Sequence, residues 1–412
     1  MNLKVTPTKL TGSVTPPPSK SQAHRLIIAA ALAGGVSTLH NLAFSQDITA
    51  TLNCMAAMGT GVEHATPDCV RIHGLGHSIP QAGNHLVSFD CSESGSTLRF
   101  LIPIALAVVG GGQFTGRGRL MERPQKPYFD LFDEKSIYYE QKDGVLTVQG
   151  TLTAGEYCLP GDVSSQFITG LLYALPLLQG DSIIKITTKL ESLDYVAMTL
   201  DALKQFGIQV ENENWHIFRI PGGQVYQSQN LAVEADWSQA GFFYAALGLH
   251  NSLDIQGMNA QSVQGDMRIV PYYLKMSQDG DVELDVSQCP DLVPPLAVHA
   301  ALRRGTTRIV NAARLRIKES DRLATVTQTL NALGANVEEY SDSLTIHGVD
   351  TLTGGVTVSA HNDHRIAMMA AIATTCCQQP ITITGAQCVA KSYPNFWEEY
   401  VRLGGQIEEV AE

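Results

Sequence analysis

A glycine, two variable residues, Val or Ile, then Glu: this signature occurs at Gly59–Glu63, Gly207–Glu211, Gly334–Glu338 and Gly404–Glu408, with a shortened copy at Gly280–Glu283. It follows apolar stretches of helical periodicity. Several copies precede β-like runs such as Val70-Arg71-Ile72-His73 and Leu344-Thr345-Ile346-His347. Locally this reads as helix, glycine stop, strand, turn, strand. A second signature opens apolar helices with small or capping residues, near Ser19–Ser21, Ser94–Thr97, Ser164–Gln166, Asp236–Ser238, Pro290–Asp291 and Asp363. Neighbouring copies lie mostly about 70 residues apart, so six units fill the 412 residues. Two helices and a few strands per unit make an α/β arrangement. A solenoid would also repeat, but solenoid repeats are usually shorter and keep the same special residues from copy to copy. Here each helix opening carries different polar chemistry.

The two ends of the chain complement each other. The last unit finishes at Gly404–Glu408 with little chain left for a return strand, while Leu3–Leu10 is a spare strand ahead of the first unit. A chain this long exceeds one ordinary core. The expectation is one discontinuous domain, residues 1–16 plus 231–412, closed by the N-terminal strand, and one inserted domain, residues 17–230, with three units in each. Thr15-Pro16-Pro17-Pro18 and the stretch from Pro221-Gly222-Gly223 to Asn230 suit the crossings.

The most charged stretch runs from Arg314 to Leu323 (Arg-Leu-Arg-Ile-Lys-Glu-Ser-Asp-Arg-Leu). Thr306–Val310 before it reads as a strand, and Ala324–Gly334 after it as an amphipathic helix. A helix N-terminus ordinarily attracts acidic residues, and Lys318 and Arg322 stand four apart, where like charges on one face repel. A self-paired, solvated turn is the plain reading. The sharper one is an anion site of cations and free backbone N–H groups. Cations recur at other helix openings: Lys20, Arg25, Arg99, Arg123, Arg365 and Lys391. If these mouths converge on one cleft, a protein of formal net charge −12 acquires a positive pocket suited to ligands bearing several phosphates or carboxylates. The same net charge argues against nucleic acid or an anionic membrane as the main partner.

The eight cysteines are scattered without Cys-x-x-Cys pairs, as expected of reduced thiols. The start shows no signal-peptide pattern, and the apolar run Phe100–Val109 is too short to span a bilayer. Cytoplasmic localisation is expected. No His-x-x-x-His, phosphate-binding glycine loop with Lys, or Gly-x-Ser-x-Gly is present, so neither a metal nor a cofactor is expected.

Eight segments in order then carry a resemblance. They are Ser19-Lys20-Ser21 with Arg25, Ser94-Gly95-Ser96-Thr97-Leu98-Arg99, Glu122-Arg123-Pro124, Gly161-Asp162-Val163-Ser164-Ser165-Gln166-Phe167, Pro290-Asp291, Arg316-Ile317-Lys318-Glu319-Ser320-Asp321-Arg322, Asn362-Asp363-His364-Arg365 and Lys391-Ser392-Tyr393-Pro394. Over essentially its whole length the chain resembles the 5-enolpyruvylshikimate-3-phosphate synthase family. The resemblance implies a two-domain inverted α/β barrel of six βαβαββ-type units that closes on ligand. It implies transfer of the enolpyruvyl group of phosphoenolpyruvate to the 5-hydroxyl of shikimate 3-phosphate, with release of phosphate, by a monomer acting on small anions. By match to the family's motifs, Lys20, Ser21, Arg25, Ser164, Ser165, Gln166, Ser192, Asp291 and Lys318 would hold shikimate 3-phosphate, with Tyr195 a lesser candidate. Lys20, Gly95, Arg123, Gln166, Arg322, Arg365 and Lys391 would hold phosphoenolpyruvate. Asp291 is the family's base for the attacking hydroxyl, and Glu319, Lys20 and Lys391 are the candidates for moving the methylene proton.

Three positions depart from the common family pattern: Arg314 where many members have Asn, Leu315 where many have Trp, and Phe100 where Pro is frequent. The neighbouring reading is UDP-N-acetylglucosamine enolpyruvyl transferase, a family that usually places a reactive Cys in the loop before its Arg-Pro. Gly116–Pro124 has none. A non-catalytic anion binder on the same fold is the remaining alternative, against which both Asp291 and Glu319 count, since neither is needed merely to hold anions.

Overall fold

The computed structural model describes residues 1–76 and 86–411. The chain forms two compact units, Lys20–Glu234 and Met1–Ser19 with Ala235–Glu412. Each has its own apolar core. No helix among the described residues is long and apolar enough to cross a membrane.

One sheet plan recurs in the Lys20–Glu234 unit. A parallel pair is extended by two antiparallel strands. Thus Glu156–Leu159 runs parallel to Ser182–Ile186, which pairs antiparallel with Ile217–Ile220, which pairs antiparallel with Glu211–Glu213. Asn230–Ala232, Val36–His40, Cys69–His73 and Gly61–Thr66 repeat the order, as do Val87–Asp90, Gly111–Thr115, Val145–Gln149 and Tyr138–Lys142. Side chains alternate between core and surface along these strands, as the period of two demands; Ile184 is buried and Lys185 is not. The helices lie against one another, and several are apolar all round, which suits a buried helix. From Gln22 to Leu32 every residue of the helix Lys20–Leu32 is buried. The helices Gly95–Val108 and Ser165–Ala174 approach closely at Gly170, where a Cβ would stand 2.6 Å from the Arg99 carbonyl oxygen.

The other unit follows the same plan. Val282–Asp285, Thr306–Val310, Leu344–His347 and Asn336–Glu339 form one sheet. In the next, Asn2–Thr6 is an inner strand, antiparallel both to Ile381–Thr384 and to Gln406–Val410, while Thr357–Ser359 pairs parallel with Ile381–Thr384. Thr11–Val14 runs parallel to Ser252–Ile255. Leu3–Leu10 is therefore not one strand: pairing stops before Pro7, which has no N–H to donate.

Four of the five repeated glycines end helices as their spacing predicts; Gly280 instead lies beyond the helix Ile269–Met276 and donates to the Arg304 carbonyl. Gly334 has φ +100° and follows the helix Arg322–Ala332. Its N–H donates to Asn331 and that of Ala335 to Leu330, the paired bonds of a left-handed helix stop. Gly59, Gly207 and Gly404 make the same pair of bonds. A further copy escaped the glycine pattern. The helix Lys126–Lys135 ends on Ser136, with φ +54°, and Ile137 donates to Phe132. Ser136-Ile137-Tyr138-Tyr139-Glu140 is thus a degenerate copy, with serine in the glycine's place and Tyr139 in that of Val or Ile.

Candidate active site

In the Lys20–Glu234 unit the polar chemistry gathers at helix starts. Lys20 is the first residue of its helix, and its Nζ lies 2.9 Å from Asp47 Oδ2, in the first turn of the helix Gln46–Ala57. Arg25 is buried one turn further in. It donates to the Ser21 carbonyl at 2.7 Å, the Tyr195 carbonyl at 2.9 Å and Thr199 Oγ1 at 2.9 Å. Its guanidinium lies over the Phe100 ring, 5.3 Å from the centroid. Burial pulls the Arg25 pKa down to about 10, which leaves it charged at neutral pH. Ser192, buried and left-handed at φ +53°, precedes the helix Leu193–Gln205 that carries Tyr195.

Gly95, Arg123 and Gln166 meet. A Cβ at Gly95 would stand 2.7 Å from Arg123 Nη1 and 3.5 Å from Gln166 Oε1. Only glycine leaves the guanidinium this close to the backbone. Gln166 is fixed at both ends: Arg99 Nη1 donates to its Oε1 at 2.9 Å, and its Nε2 donates to Ser96 Oγ at 3.0 Å. Arg99, one of the cations singled out from the sequence, also donates to the Pro124 carbonyl and packs over Phe167. It positions Gln166 and the Arg123–Pro124 loop. Ser164 caps its helix by accepting from the Gln166 N–H at 3.3 Å, and Ser165 is the first helical residue.

Arg322 organises the other unit. It is 1% exposed. Nε donates to Asp363 Oδ2 at 2.8 Å, Nη1 to Asp291 Oδ1 at 2.8 Å, and Nη2 to Glu319 Oε2 at 2.6 Å. Lys318 Nζ is 3.2 Å from Asp291 Oδ1, and Arg365 Nη2 is 3.2 Å from Asp291 Oδ2. Asp363 caps the helix His364–Thr374 by accepting from the Arg365 N–H, and takes a further bond from Ser320 Oγ. Lys391 Nζ donates to the Asn362 carbonyl at 2.6 Å. So Asp291, Lys318, Glu319, Arg322 and Arg365 form one ionic network, and Lys391 reaches the residue beside Asp363.

Burial alone would raise the Asp291 pKa; Arg365, Lys318 and Arg322 hold it well below the usual carboxylate range. Asp363 is held down chiefly by Arg322 against the same burial. Burial lowers Lys318, with Asp291 opposing. Asp266, by contrast, is pushed from 3.8 up to about 7 by burial and by the charge of Asp291.

The charged stretch differs from its sequence reading in one respect. Ala313–Ile317 is a turn of 3-10 helix and Lys318 is extended, so Lys318 and Arg322 do not share a helical face. They converge instead on Asp291. Arg314 donates to the Ser287 carbonyl, and Leu315 is wholly buried. Asp47, Asp266 and the role of Asp363 as an acceptor were not singled out from the sequence. Asp363 carried a signal as a capping residue; Asp47 and Asp266 carried none.

A profile of the family described as EPSP synthase (3-phosphoshikimate 1-carboxyvinyltransferase) matches residues 5–400. A 3-phosphoshikimate 1-carboxyvinyltransferase of Clostridium beijerinckii is 45% identical, over 99% of this chain and 98% of the relative. One of Clostridium acetobutylicum is 46% identical over 99% of this chain and 98% of its own. Among solved structures, an EPSP synthase from Acinetobacter baumannii superposes with a TM-score of 0.80 at 24% identity, over 99% of this chain and all of that one. That likeness shows the α/β two-domain fold of repeated units.

Proposed function

We propose an active-site assignment from one premise: this chain belongs to the EPSP synthase family, the 3-phosphoshikimate 1-carboxyvinyltransferases. It is a transferase. It moves the enolpyruvyl group of phosphoenolpyruvate to the 5-hydroxyl of shikimate 3-phosphate and releases phosphate, in the shikimate pathway. In our assignment Lys20, Ser21, Arg25, Ser164, Ser165, Gln166, Ser192, Asp291 and Lys318 hold shikimate 3-phosphate. Lys20, Gly95, Arg123, Gln166, Arg322, Arg365 and Lys391 hold phosphoenolpyruvate. The two substrates are the partners, and the chain works as a cytoplasmic monomer.

The observation that carries the assignment is the triple hold of Lys318, Arg322 and Arg365 on Asp291. As long as three cations share one carboxylate, it is a weak base. Anions that engage Lys318, Arg322 and Arg365 draw them from Asp291, and its pKa rises. The base is thereby armed when both substrates are in place. Protonation of the enol carbon leaves cationic character at C2, and the 5-hydroxyl attacks as Asp291 accepts its proton. Glu319, Lys20 or Lys391 supplies the methylene proton and takes one back from the methyl group of the resulting adduct as its C2–O bond to phosphate breaks, which restores the enol double bond and releases phosphate. Each such positioned group contributes about 10²–10⁴-fold.

The test is phosphate release with each substrate alone and with both. Turnover only with both supports the reading. Turnover with UDP-N-acetylglucosamine in place of shikimate 3-phosphate would overturn it. The variant Asp291→Asn is expected to bind both anions yet lose about 10²–10⁴-fold in kcat; an unchanged kcat would remove Asp291 from its role.

A further inference from the structure

Four side chains behind the Gly95 turn form a hydrogen-bond chain. His24 Nδ1 lies 2.7 Å from Thr51 Oγ1, Thr51 Oγ1 lies 2.7 Å from Thr97 Oγ1, and Thr97 Oγ1 donates to Ser94 Oγ at 2.7 Å. All four residues are essentially buried. Three elements contribute: the helix Lys20–Leu32, the helix Gln46–Ala57, and the start of the helix Gly95–Val108.

Counting protons fixes the direction of the chain. Each hydroxyl has one hydrogen. Thr97 spends its own on Ser94, so the 2.7 Å contact with Thr51 requires Thr51 to donate. Thr51 Oγ1 also reaches the Asp47 carbonyl at 3.3 Å, a longer contact for the same hydrogen; in either case Thr51 has none left for His24, so Nδ1–H of His24 must donate to Thr51. This selects one tautomer of a neutral ring. Burial, with Lys20 and Arg25 nearby, holds the His24 pKa well below 6.5, in keeping with a neutral imidazole. Its Nε2 has no hydrogen-bond partner among the described residues. A buried imidazole with one face unsatisfied is costly to keep for packing alone.

The far end of the chain is the cap of the Gly95 helix. Ser94 Oγ accepts from the Thr97 N–H at 3.1 Å as well as from its hydroxyl. It therefore caps the third amide and leaves those of Gly95 and Ser96 ahead of it uncapped, beside Arg123 Nη1. The lateral position of that turn depends on a chain rooted in two other helices. Thr51 lies on the helix that supplies Asp47, the partner of Lys20.

We propose that His24 and Thr51 are positioning residues for phosphoenolpyruvate: acting through Thr97, they fix the Ser94 cap, and with it the Gly95 and Ser96 amides that face the anion. This rests on the assignment of the Gly95 mouth to phosphoenolpyruvate. Neither residue touches the substrate. Removing the Thr51 hydroxyl breaks the chain at its centre and frees the turn; it also drops the 3.3 Å contact with the Asp47 carbonyl but leaves the Lys20–Asp47 side-chain pair itself unaltered.

The test is steady-state kinetics of Thr51→Val, Thr51→Ser and Thr97→Val, with both substrates varied. Thr51→Val and Thr97→Val are expected to raise KM for phosphoenolpyruvate about tenfold, the scale of one charge-assisted hydrogen bond lost. KM for shikimate 3-phosphate should stay within about twofold, and Thr51→Ser, which keeps the hydroxyl, should restore the wild-type value. A purely structural role would lower the urea midpoint of Thr51→Val and leave both KM values alone, and that result overturns the proposal, as does an equal rise in both. If Thr51→Val does not fold, an unchanged phosphoenolpyruvate KM in Thr97→Val overturns it alone. Arg123→Gln separates the premises. If it too leaves KM for phosphoenolpyruvate unchanged, the assignment of the Gly95 mouth has failed; if it raises KM while the threonine variants do not, only the positioning chain has failed.

Discussion

Arg322 donates four hydrogen bonds to three carboxylates while almost wholly buried. No other side chain supplies so many fixed donors, and lysine lacks the planar fork. Arg322→Met leaves Asp291, Glu319 and Asp363 facing one another without their shared cation. The expected cost is about 3–5 kcal/mol, that of a buried pair broken from one side, measured by urea denaturation at pH 7. A loss below about 1 kcal/mol would place the network on the surface scale. The carboxylates also set how stability depends on pH. Asp291 and Asp363 have depressed pKa values in the folded state. Their contribution is present above the unfolded carboxylate pKa of about 3.9 and is lost as pH falls through the folded values. Asp266 acts oppositely. With its folded pKa pushed up to about 7, the folded chain binds the extra proton between 3.8 and about 7, so stability falls as pH rises across that window. Asp266→Asn should flatten that decline in a series of urea midpoints; an unchanged slope would mean that Asp266 ionises in the folded protein as it does in the unfolded one.

At the level of helices and strands, the left-handed stops make a matched pair of experiments. Ser136 holds φ +54° at a position where the other copies use glycine. Ser136→Gly should stabilise by about 0.5–1 kcal/mol, since a side chain in that conformation costs about 1–2 kcal/mol and glycine returns part of this through its freer unfolded state. Gly334→Ala should do the reverse, because φ is +100° and the new Cβ would lie 2.8 Å from Thr353 Oγ1. Thermal midpoints moving together in one direction would refute the pairing. These stops also mark how far the sequence could be read. Glycine after an apolar helix is distinctive, so four stops, and with them the α/β repeat, were legible. Serine is common everywhere, and Ser136 announced nothing. The site divides in the same way. Its cations stood out because they open helices, yet their partners lie far along the chain: Asp47 is 27 residues from Lys20, and Asp363 is 41 from Arg322. Pairing over such separations is set by how helices pack, which no local pattern records.

Across the whole chain, the strand Asn2–Thr6 links sequence ends that are otherwise remote. It is an inner strand whose two neighbours, Ile381–Thr384 and Gln406–Val410, come from the last part of the chain. Leu3 and Val5 on it are buried. Deleting Met1–Thr6 should lower the urea midpoint of the unit built from residues 1–19 and 235–412 and expose both neighbouring strands to hydrogen exchange; unchanged protection of Ile381–Thr384 would argue that the inner strand is dispensable. The same threading has a consequence during synthesis. Asn2–Thr6 leaves the ribosome well ahead of both its neighbours and cannot be paired on both sides until Val410 has followed, whereas Lys20–Glu234 is complete long before. At about 5–20 residues per second, those opening residues wait on the order of tens of seconds for their neighbours, and anything that shields an unpaired strand in that interval will govern the yield of folded enzyme.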